Sequence, residues 1–438
     1  MLLEYIQVIR SRATAVQTTI RRPKRIESTL TPPGDKSVSH RAAIFNAIAS
    51  GVAEIRNYGP GADCLSTIRV LRHLGVQVEG GQSTFTIKGG DLIEPVDVLN
   101  VGNSGTTARL MAGVLAAQPF FSVLTGDKSI RSRPMRRVVD PLRKMGAMID
   151  GRGASSLAPL AFRGTALKSI DFEMPVASAQ VKSALLLAGL FASGETILRQ
   201  PALSRDHTER MFTAMGAAIH TDDRVITLRP GKLQAIDVTV PADISSAAYW
   251  IIAAVCHPNA ELKVLNVGIN PSRTGILEVL KNMGADLAVV NERSIGGEPV
   301  GDIVARSSSL RSTTVDPEMI PSLVDEVPIL ALAACFASGT TLIAGAQELR
   351  LKESDRLSTT ATELSRFGAD VEETADGLRI TGGKALTGAS GRSRNDHRIA
   401  MTLGIAGLLA NGDTSVAGAE SAAISYPSFW EDLNTLCR

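Results

Sequence analysis

The stretch Pro33-Gly34-Asp35-Lys36-Ser37-Val38-Ser39-His40-Arg41 leads directly into an apolar run that ends at Gly51. We predict a turn followed by a helix that carries Lys36, Ser37 and Arg41 on its first turns. Helix starts have unpaired N–H groups and a partial positive charge, so this one would attract a phosphate or a carboxylate. The alternative is an ordinary capped helix with two solvated cations. A Walker A loop is excluded, because Asp35 stands where that motif needs a glycine.

The same pattern of a polar cluster, an apolar helix, a Gly or Pro stop and a strand recurs about every 70 residues. A second helix follows in each unit, and in five units it ends at a glycine suited to a left-handed helix C-cap. The sixth unit ends on a matching helix, Ser428 to about Cys437. We therefore predict six βαβαββ repeats. The apolar helices lie in 36–51, 103–119, 178–194, 244–258, 325–339 and 396–412, and the five glycines are Gly75, Gly146, Gly216, Gly284 and Gly368.

The first helix of each repeat is apolar nearly all round and must be buried on every side, whereas the second is amphipathic. Buried helices need sheets around them, which inverts the usual arrangement of an α/β protein. Two groups of three repeats suit the size limit of a domain better than one group of six. We expect one domain at residues 34–240 and another at 23–33 plus 241–438, with the active site in the cleft between them. Residues 1–22 are expected to form a poorly ordered extension.

The amino-acid composition argues against several classes of function. The formal net charge of the 438 residues is +2 and aromatics make up 4 %, which argues against a nucleic-acid partner. Apolar runs such as 184–192 are too short to span a membrane. The four scattered cysteines, Cys64, Cys256, Cys335 and Cys437, lack metal-ligand spacing and fit a reducing cytoplasm. The expected protein is a cytoplasmic monomer without a metal site.

Charged residues gather in the loops that open the apolar helices and in three connecting segments, 129–134, 204–207 and 348–356. Taken singly, each of these is typical of a solvated loop or a salt-bridge cluster. Because they recur at equivalent points of a repeat, symmetry would bring them to a shared face. Arginine forks and lysines there would bind a substrate pair with several negative charges. Asp325 and Glu353 would be the carboxylates available for proton transfer.

Eight motifs in this order resemble the 3-phosphoshikimate 1-carboxyvinyltransferase (EPSP synthase) family. They cover the chain from about residue 30 to its end. They are PGDKSxSHR, GNSGTTARL, RSRPM, SAQVKSALLLAGL, SRDHTER, LVDEVP, LRLKESDRL and NDHRIAM.

The resemblance implies an inside-out α/β barrel of two domains with three repeats each, the enolpyruvyl transferase fold. It also implies transfer of the enolpyruvyl group of phosphoenolpyruvate to the 5-hydroxyl of shikimate 3-phosphate, with release of phosphate and no cofactor. One alternative is the UDP-N-acetylglucosamine enolpyruvyl transferase family, which carries a reactive cysteine where this chain has 126–134 and no cysteine. Another is a non-catalytic anion-binding repeat protein, which leaves Asp325 and Glu353 unexplained.

The resemblance also implies a set of site residues. Asp325 is the expected base at the 5-hydroxyl, Glu353 the acid towards the methylene carbon, and Lys36 assists. The residues expected to bind shikimate 3-phosphate are Lys36, Ser37, Arg41, Ser178, Gln180, Arg205, Asp325 and Lys352. Those expected to bind phosphoenolpyruvate are Lys36, Gly105, Arg133, Gln180, Arg356 and Arg398.

Some positions depart from the better-known branch of the family and resemble its second class. Ala179 replaces a serine, Leu110 replaces a proline, and Ile424 precedes the segment where that branch has a lysine that binds phosphoenolpyruvate. Glu348 stands where an asparagine would bind substrate. The second class tends to tolerate glyphosate, yet Gly105 is the small residue associated with sensitivity, so the sequence predicts neither response.

Overall fold

The computed structural model describes residues 18–437 of the chain. The longer helices within this range come in pairs, one pair per repeat, as the sequence predicts. In chain order they are α1 Lys36–Ala47, α2 Ala62–His73, α3 Gly105–Leu115, α4 Arg136–Lys144, α5 Ala179–Gly189, α6 His207–Ala214, α7 Ile244–Cys256, α8 Gly275–Asn282, α9 Val327–Phe336, α10 Arg356–Ser365, α11 His397–Leu409 and α12 Phe429–Leu436. Short four-residue segments at Arg152–Ser155 and Ile320–Leu323 are also helical by hydrogen bonding.

The odd-numbered helices are buried along nearly their whole length, and the even-numbered ones keep an exposed face. This confirms the predicted difference between the two kinds of helix. The predicted glycine caps are also confirmed, because the glycine after α2, α4, α6, α8 and α10 has a φ between +81° and +95°. A side chain at these five points would be strained in that left-handed conformation.

The strands of the described residues are between 2 and 10 residues long. They are β1 Thr18–Ile20, β2 Ile26–Leu30, β3 Val52–Arg56, β4 Gln77–Gly81, β5 Thr84–Lys88, β6 Leu99–Asn100, β7 Ser122–Thr125, β8 Met148–Gly151, β9 Leu157–Arg163, β10 Asp171–Glu173, β11 Thr196–Arg199, β12 Ile219–Asp222, β13 Val225–Leu228, β14 Val238–Thr239, β15 Ala260–Gly268, β16 Asp286–Ile295, β17 Glu298–Arg306, β18 Thr314–Val315, β19 Thr340–Ile343, β20 Asp370–Glu373, β21 Leu378–Thr381, β22 Ser390–Arg392 and β23 Thr414–Ala417.

One topology is repeated in the sheets. In five of the six sheets of residues 18–437, a parallel strand pairs with the strand that follows the core helix, and a hairpin completes the sheet; in the sixth, β22 runs parallel to β23 and β1 runs antiparallel to it. In residues 18–437 the orders are β14-β3-β5-β4, β6-β7-β9-β8, β10-β11-β13-β12, β16-β17-β15-β2, β18-β19-β21-β20 and β1-β23-β22. The mixed α/β repeat predicted from the sequence is therefore confirmed, with sheets enclosing buried helices.

Two closing strands come from distant parts of the chain. β14 runs parallel to β3, so the end of the third repeat completes the sheet of the first. β2, in the segment 23–33 that the sequence assigns to the second domain, runs parallel to β15 and completes the sheet of the fourth. Each group of three repeats thereby supplies its own missing strand.

The chain forms two compact units. The unit that we call N-terminal comprises Pro33–Asp243 and Arg293–Val300, and the C-terminal unit contains the described residues of Met1–Pro32, Ile244–Glu292 and Gly301–Arg438. Each has its own apolar core, built around α1, α3 and α5 in the first and around α7, α9 and α11 in the second. The segment 293–300 is the tip of the β16–β17 hairpin, which the sequence assigned to the second domain. It groups with the N-terminal unit because Glu298 pairs with His207 at 2.9 Å.

The expectation that residues 1–22 form a poorly ordered extension needs a correction. Most of the predicted extension, residues 1–17, lies outside the described residues. Residues 18–20 form β1, which pairs with β23, and Arg21 donates to Asp413 with a 2.6 Å contact. This strand was missed because it has three residues and its partner is almost 400 positions away.

One segment, Pro317–Phe336, is long and apolar enough to cross a membrane by length and composition alone. The prediction that apolar runs are too short did not consider it. It consists of successive short helical segments that end in α9, and 67 % of its apolar window is buried inside the protein. A core helix passes the same test.

Candidate active site

The first cluster of site residues begins at the start of α1. Asp35 caps the helix by accepting from the Val38 N–H at 2.8 Å, and the Lys36 N–H donates to Asp243 Oδ2 at 3.2 Å. The Lys36 ammonium lies 3.3 Å from Asp63 Oδ2, and its side chain is 22 % exposed. Lys36 therefore presents a partly accessible cation at a helix start, as predicted.

The starts of α3 and α5 are joined by hydrogen bonds. Gln180 accepts from Arg109 Nη1 at 2.9 Å and donates to Thr106 Oγ1 at 3.0 Å. A Cβ on Gly105 would lie 2.8 Å from Arg109 Nη1 and 3.2 Å from Arg133 Nη1. Gly105 thus leaves room for two guanidinium groups beside the backbone. The site residues expected from the sequence include Gly105, Arg133 and Gln180 but not Arg109, which lies in the same GNSGTTARL motif as Gly105.

Arg41 is nearly fully buried and is held by hydroxyl groups. Its Nε donates to Thr208 Oγ1 at 2.8 Å, and its Nη2 donates to Ser183 Oγ at 2.7 Å. Burial lowers the pKa of Arg41 to about 10, although Glu209 and Asp35 oppose that change. It therefore remains charged at neutral pH.

The remaining predicted residues of this unit occupy the neighbouring segments. Ser178 caps α5, where its Oγ accepts from the Val181 N–H at 3.5 Å. Ser37 and Arg205 are half-buried, and Arg205 lies in the loop between β11 and α6. The predicted residues of this unit lie on α1, at the starts of α3 and α5, and in the segments that lead into α4 and α6.

The second cluster is centred on Arg356, the first residue of α10, which is 2 % exposed. Its Nη1 lies 3.3 Å from Asp325 Oδ1, and its Nη2 lies 2.6 Å from Glu353 Oε2. Its Nε lies 2.9 Å from Asp396 Oδ2. Burial by itself would lower the pKa of Arg356, but these three carboxylates together raise it. The two carboxylates predicted for proton transfer are therefore both bound to one guanidinium.

Asp396 is fully buried and supports this cluster. It caps α11 by accepting from the Arg398 N–H at 2.9 Å, and it accepts from Ser354 Oγ at 3.0 Å. Burial alone would raise the pKa of Asp396, but Arg356 and His397 outweigh it and lower the pKa. Its motif was noted in the sequence, yet its role was missed because it binds another protein residue rather than facing a loop.

Lys352 and Arg398 complete the set in the C-terminal unit. Lys352 Nζ lies 3.8 Å from Asp325 Oδ1, and its side chain is about one quarter exposed. Arg398 is buried at the start of α11. Not all of the six charged residues of 348–356 belong to this cluster. Arg350 pairs with Asp355 at 2.9 Å and not with Asp325.

The predicted residues thus form a cation-rich group in the N-terminal unit and a group in the C-terminal unit that contains both candidate proton-transfer carboxylates. Cations at helix starts can hold phosphate and carboxylate groups. A carboxylate beside a cation can accept a proton from a hydroxyl group. Between residues 18 and 437, no group of three or more His, Cys, Asp or Glu side chains is placed to hold a metal ion.

Comparison with known proteins gives one family. The family described as EPSP synthase (3-phosphoshikimate 1-carboxyvinyltransferase) matches residues 20–433. A 3-phosphoshikimate 1-carboxyvinyltransferase of Herpetosiphon aurantiacus is 51 % identical over 423 residues, which is 95 % of this chain and 98 % of the relative. The enzyme of the same name from Chloroflexus aurantiacus is 53 % identical over 424 residues, with the same coverage.

Solved structures agree with this match. The EPSP synthase of Acinetobacter baumannii is similar with a TM-score of 0.87 and 43 % identity, over 96 % of this chain and 98 % of that one. The enolpyruvyl transferase NikO of Streptomyces tendae has a TM-score of 0.78 and 20 % identity over 96 % of this chain and 97 % of its own, so it supports the fold alone.

Proposed function

The chain belongs to the EPSP synthase (3-phosphoshikimate 1-carboxyvinyltransferase) family, and we propose how its residues divide the work of that reaction. The protein is a transferase of the shikimate pathway, which leads to aromatic amino acids. It moves the enolpyruvyl group of phosphoenolpyruvate to the 5-hydroxyl of shikimate 3-phosphate and releases phosphate. The reaction joins two anions, so both substrates need cations around them.

In this proposal, shikimate 3-phosphate binds mainly through residues of the N-terminal unit. Arg205 and Ser178 take its phosphate, while Ser37, Arg41 and Gln180 hold the ring and its substituents. Lys36 contacts both substrates, because its ammonium has three N–H donors on a flexible stem. The support comes from the partial exposure of Lys36 and the half-buried positions of Ser37, Ser178 and Arg205.

Phosphoenolpyruvate is held by Arg133 beside Gly105 and by Arg356 and Arg398 in the C-terminal unit. Arg356 is already surrounded by three carboxylates, so a substrate carboxylate competes with Asp325 and Glu353 for its N–H groups. Glu353 thereby loses part of its contact with the Arg356 cation, which makes protonation of Glu353 easier. Substrate binding would thereby prepare the acid that the reaction needs.

The chemistry is an addition followed by an elimination. Asp325, beside Lys352, takes the proton of the 5-hydroxyl as that oxygen attacks C2 of phosphoenolpyruvate. Glu353 gives a proton to C3, which becomes a methyl group, and a tetrahedral intermediate forms. The Glu353 carboxylate then takes back a methyl proton as the C2–C3 double bond returns and the C2–O bond breaks to release phosphate. The observation that carries this assignment is the shared contact of Asp325 and Glu353 with Arg356.

The proposal assigns residues of both units to one substrate pair. We take the two units to correspond to the two domains expected from the sequence. We further propose that the protein acts as a monomer in the cytoplasm, since its substrates are small polar metabolites.

The test is phosphate release by the purified protein without added metal. Release should require phosphoenolpyruvate and shikimate 3-phosphate together, and UDP-N-acetylglucosamine should not replace the shikimate. Release with the nucleotide sugar instead, or with neither acceptor, would contradict the proposed function. Size-exclusion chromatography with light scattering on the same sample tests the monomer.

A further inference from the structure

Lys182 is a charged residue inside one of the most apolar helices of the protein. It is the fourth residue of α5, and its side chain is 0 % exposed. The ammonium pairs with Glu209 Oε1 at 2.6 Å. Replacing a buried ion pair by apolar side chains of similar volume is often neutral or stabilising, so stability alone is a weak reason for this lysine.

The ammonium of Lys182 also reaches a second partner. It donates to the backbone carbonyl of Ser204 at 3.3 Å. Ser204 and Glu209 lie on opposite sides of Arg205, one residue before it and four after it. One ammonium therefore ties together the two ends of the segment that carries Arg205.

That segment has no regular backbone structure of its own between the end of β11 at Arg199 and the start of α6 at His207. The contacts of its flanking residues therefore help to set the position of Arg205. Glu209 Oε2 is buried without a hydrogen bond to any described residue, and Oε1 of the same carboxylate pairs with Lys182 at 2.6 Å. The adjacent Thr208 Oγ1 contacts Ser183 Oγ at 2.6 Å, which fixes the same turn to α5.

We infer that Lys182 is a positioning residue for the acceptor phosphate: by clipping Ser204 to Glu209 it places Arg205 to bind that group. This inference rests on the proposed function, because it takes Arg205 to contact the 3-phosphate. Lys182 itself touches neither substrate. Its removal should therefore weaken the binding of shikimate 3-phosphate through Arg205 and leave phosphoenolpyruvate largely unaffected.

The test is a double-mutant cycle between Lys182 and Arg205, read by calorimetric binding of shikimate 3-phosphate and by steady-state kinetics. Lys182→Met leaves a buried carboxylate without its cation, so the pair Lys182→Met/Glu209→Gln provides a second, charge-neutral variant that keeps the volume. Lys168→Met, at an exposed lysine of the same repeat, is the matched control. Thermal unfolding of each variant defines a temperature at which all are folded.

Arg205→Ala removes charge-assisted hydrogen bonds and should raise the Kd for shikimate 3-phosphate about 10- to 100-fold. Removing Lys182 should raise this Kd about tenfold with Arg205 present and less than about twofold in the Arg205→Ala background. The KM for phosphoenolpyruvate should change less than about threefold, since that site shares no contact with the clip. Lys182→Arg should restore part of the affinity, because it keeps the charge.

Three results with an active enzyme would overturn the role of Lys182. They are an equal loss of affinity for shikimate 3-phosphate with and without Arg205, an unchanged Kd on removal of Lys182, and a rise in the KM for phosphoenolpyruvate that matches the rise in this Kd. A wild-type protein that neither binds shikimate 3-phosphate nor releases phosphate with it would instead remove the proposed function, and this inference with it.

Discussion

Replacing Asp325 by asparagine separates proton transfer from binding. The Asp325 carboxylate lies 3.3 Å from Arg356 and 3.8 Å from Lys352, and its side chain is 18 % exposed. Asparagine has nearly the same size and keeps an oxygen for these cations. It loses the negative charge and the ability to accept a proton from the 5-hydroxyl.

The structure limits how much of the effect can come from lost ion pairs. The asparagine oxygen can still accept a hydrogen bond from Arg356, which also retains Asp396 and Glu353 as partners. The affinity for shikimate 3-phosphate should therefore change less than about tenfold. A positioned general base contributes about 10²- to 10⁴-fold to the rate, so kcat should fall by at least about 10²-fold.

The assay is phosphate release at saturating concentrations of both substrates, together with calorimetric binding of shikimate 3-phosphate. Asp316→Asn is the control, because it makes the same chemical change at an exposed aspartate on the segment that leads to Asp325. The control should keep its turnover within about twofold, as expected for a surface site. Near-normal turnover of Asp325→Asn would refute the assignment of the base.

Three other variants test separate parts of the structure. Gly105→Ala places a methyl group against two guanidinium groups, so the KM for phosphoenolpyruvate should rise more than that for shikimate 3-phosphate in steady-state kinetics; equal changes would argue against a donor site there. Asp396→Asn breaks a buried pair and should lower the free energy of unfolding by about 3 kcal/mol at pH 7. The folded pKa of Asp396 is depressed, so its contribution is present above its unfolded pKa of about 3.9 and is lost as pH falls below that value; urea unfolding of wild type and variant should converge in acid, and a constant difference would contradict the ion pair. Gly113→Ala puts a Cβ 2.1 Å from the carbonyl oxygen of Ala184, so urea unfolding should show a loss of about 1–3 kcal/mol, while Gly81→Ala, which meets open space, should lose less than about 1 kcal/mol.

The repeat could be predicted because its signals are local. An apolar run after a polar cluster indicates a buried helix start, and a glycine after an amphipathic helix indicates a left-handed cap. Gly75 and its four counterparts were found from such patterns and have the expected positive φ. The motif around Lys36 likewise predicted a helix start, and the structure shows that Asp35 caps it.

Features that depend on distant pairing could not be predicted. Strand β1 is defined by its contact with β23, and the tip of the β16–β17 hairpin contacts the N-terminal unit through Glu298 and His207. No periodicity within either segment reports its partner. Long-range partners are set by packing that a single segment does not encode.

The candidate site was predicted in part for a similar reason. Residues in charged loops were selected, because solvated cations stand out from an apolar sequence. Lys182 and Asp396 were not, since each is buried and acts on another protein side chain. The resemblance supplied the roles of Asp325 and Glu353, while the structure added that both contact Arg356.

Incorporation of solvent deuterium into the product is the most direct measurement of the proposed addition and elimination. The reaction is run in ²H₂O with wild type and with Glu353→Gln, and the methylene group of the product is examined by mass spectrometry. Protonation of C3 by an exchangeable carboxylic acid and loss of one methyl hydrogen should leave deuterium at that carbon in the wild-type product. Glu353→Gln should slow turnover and deuterium incorporation together, by about 10²-fold or more. Wild-type product formed without deuterium, or a Glu353→Gln variant with unchanged turnover and incorporation, would contradict the proposed chemistry.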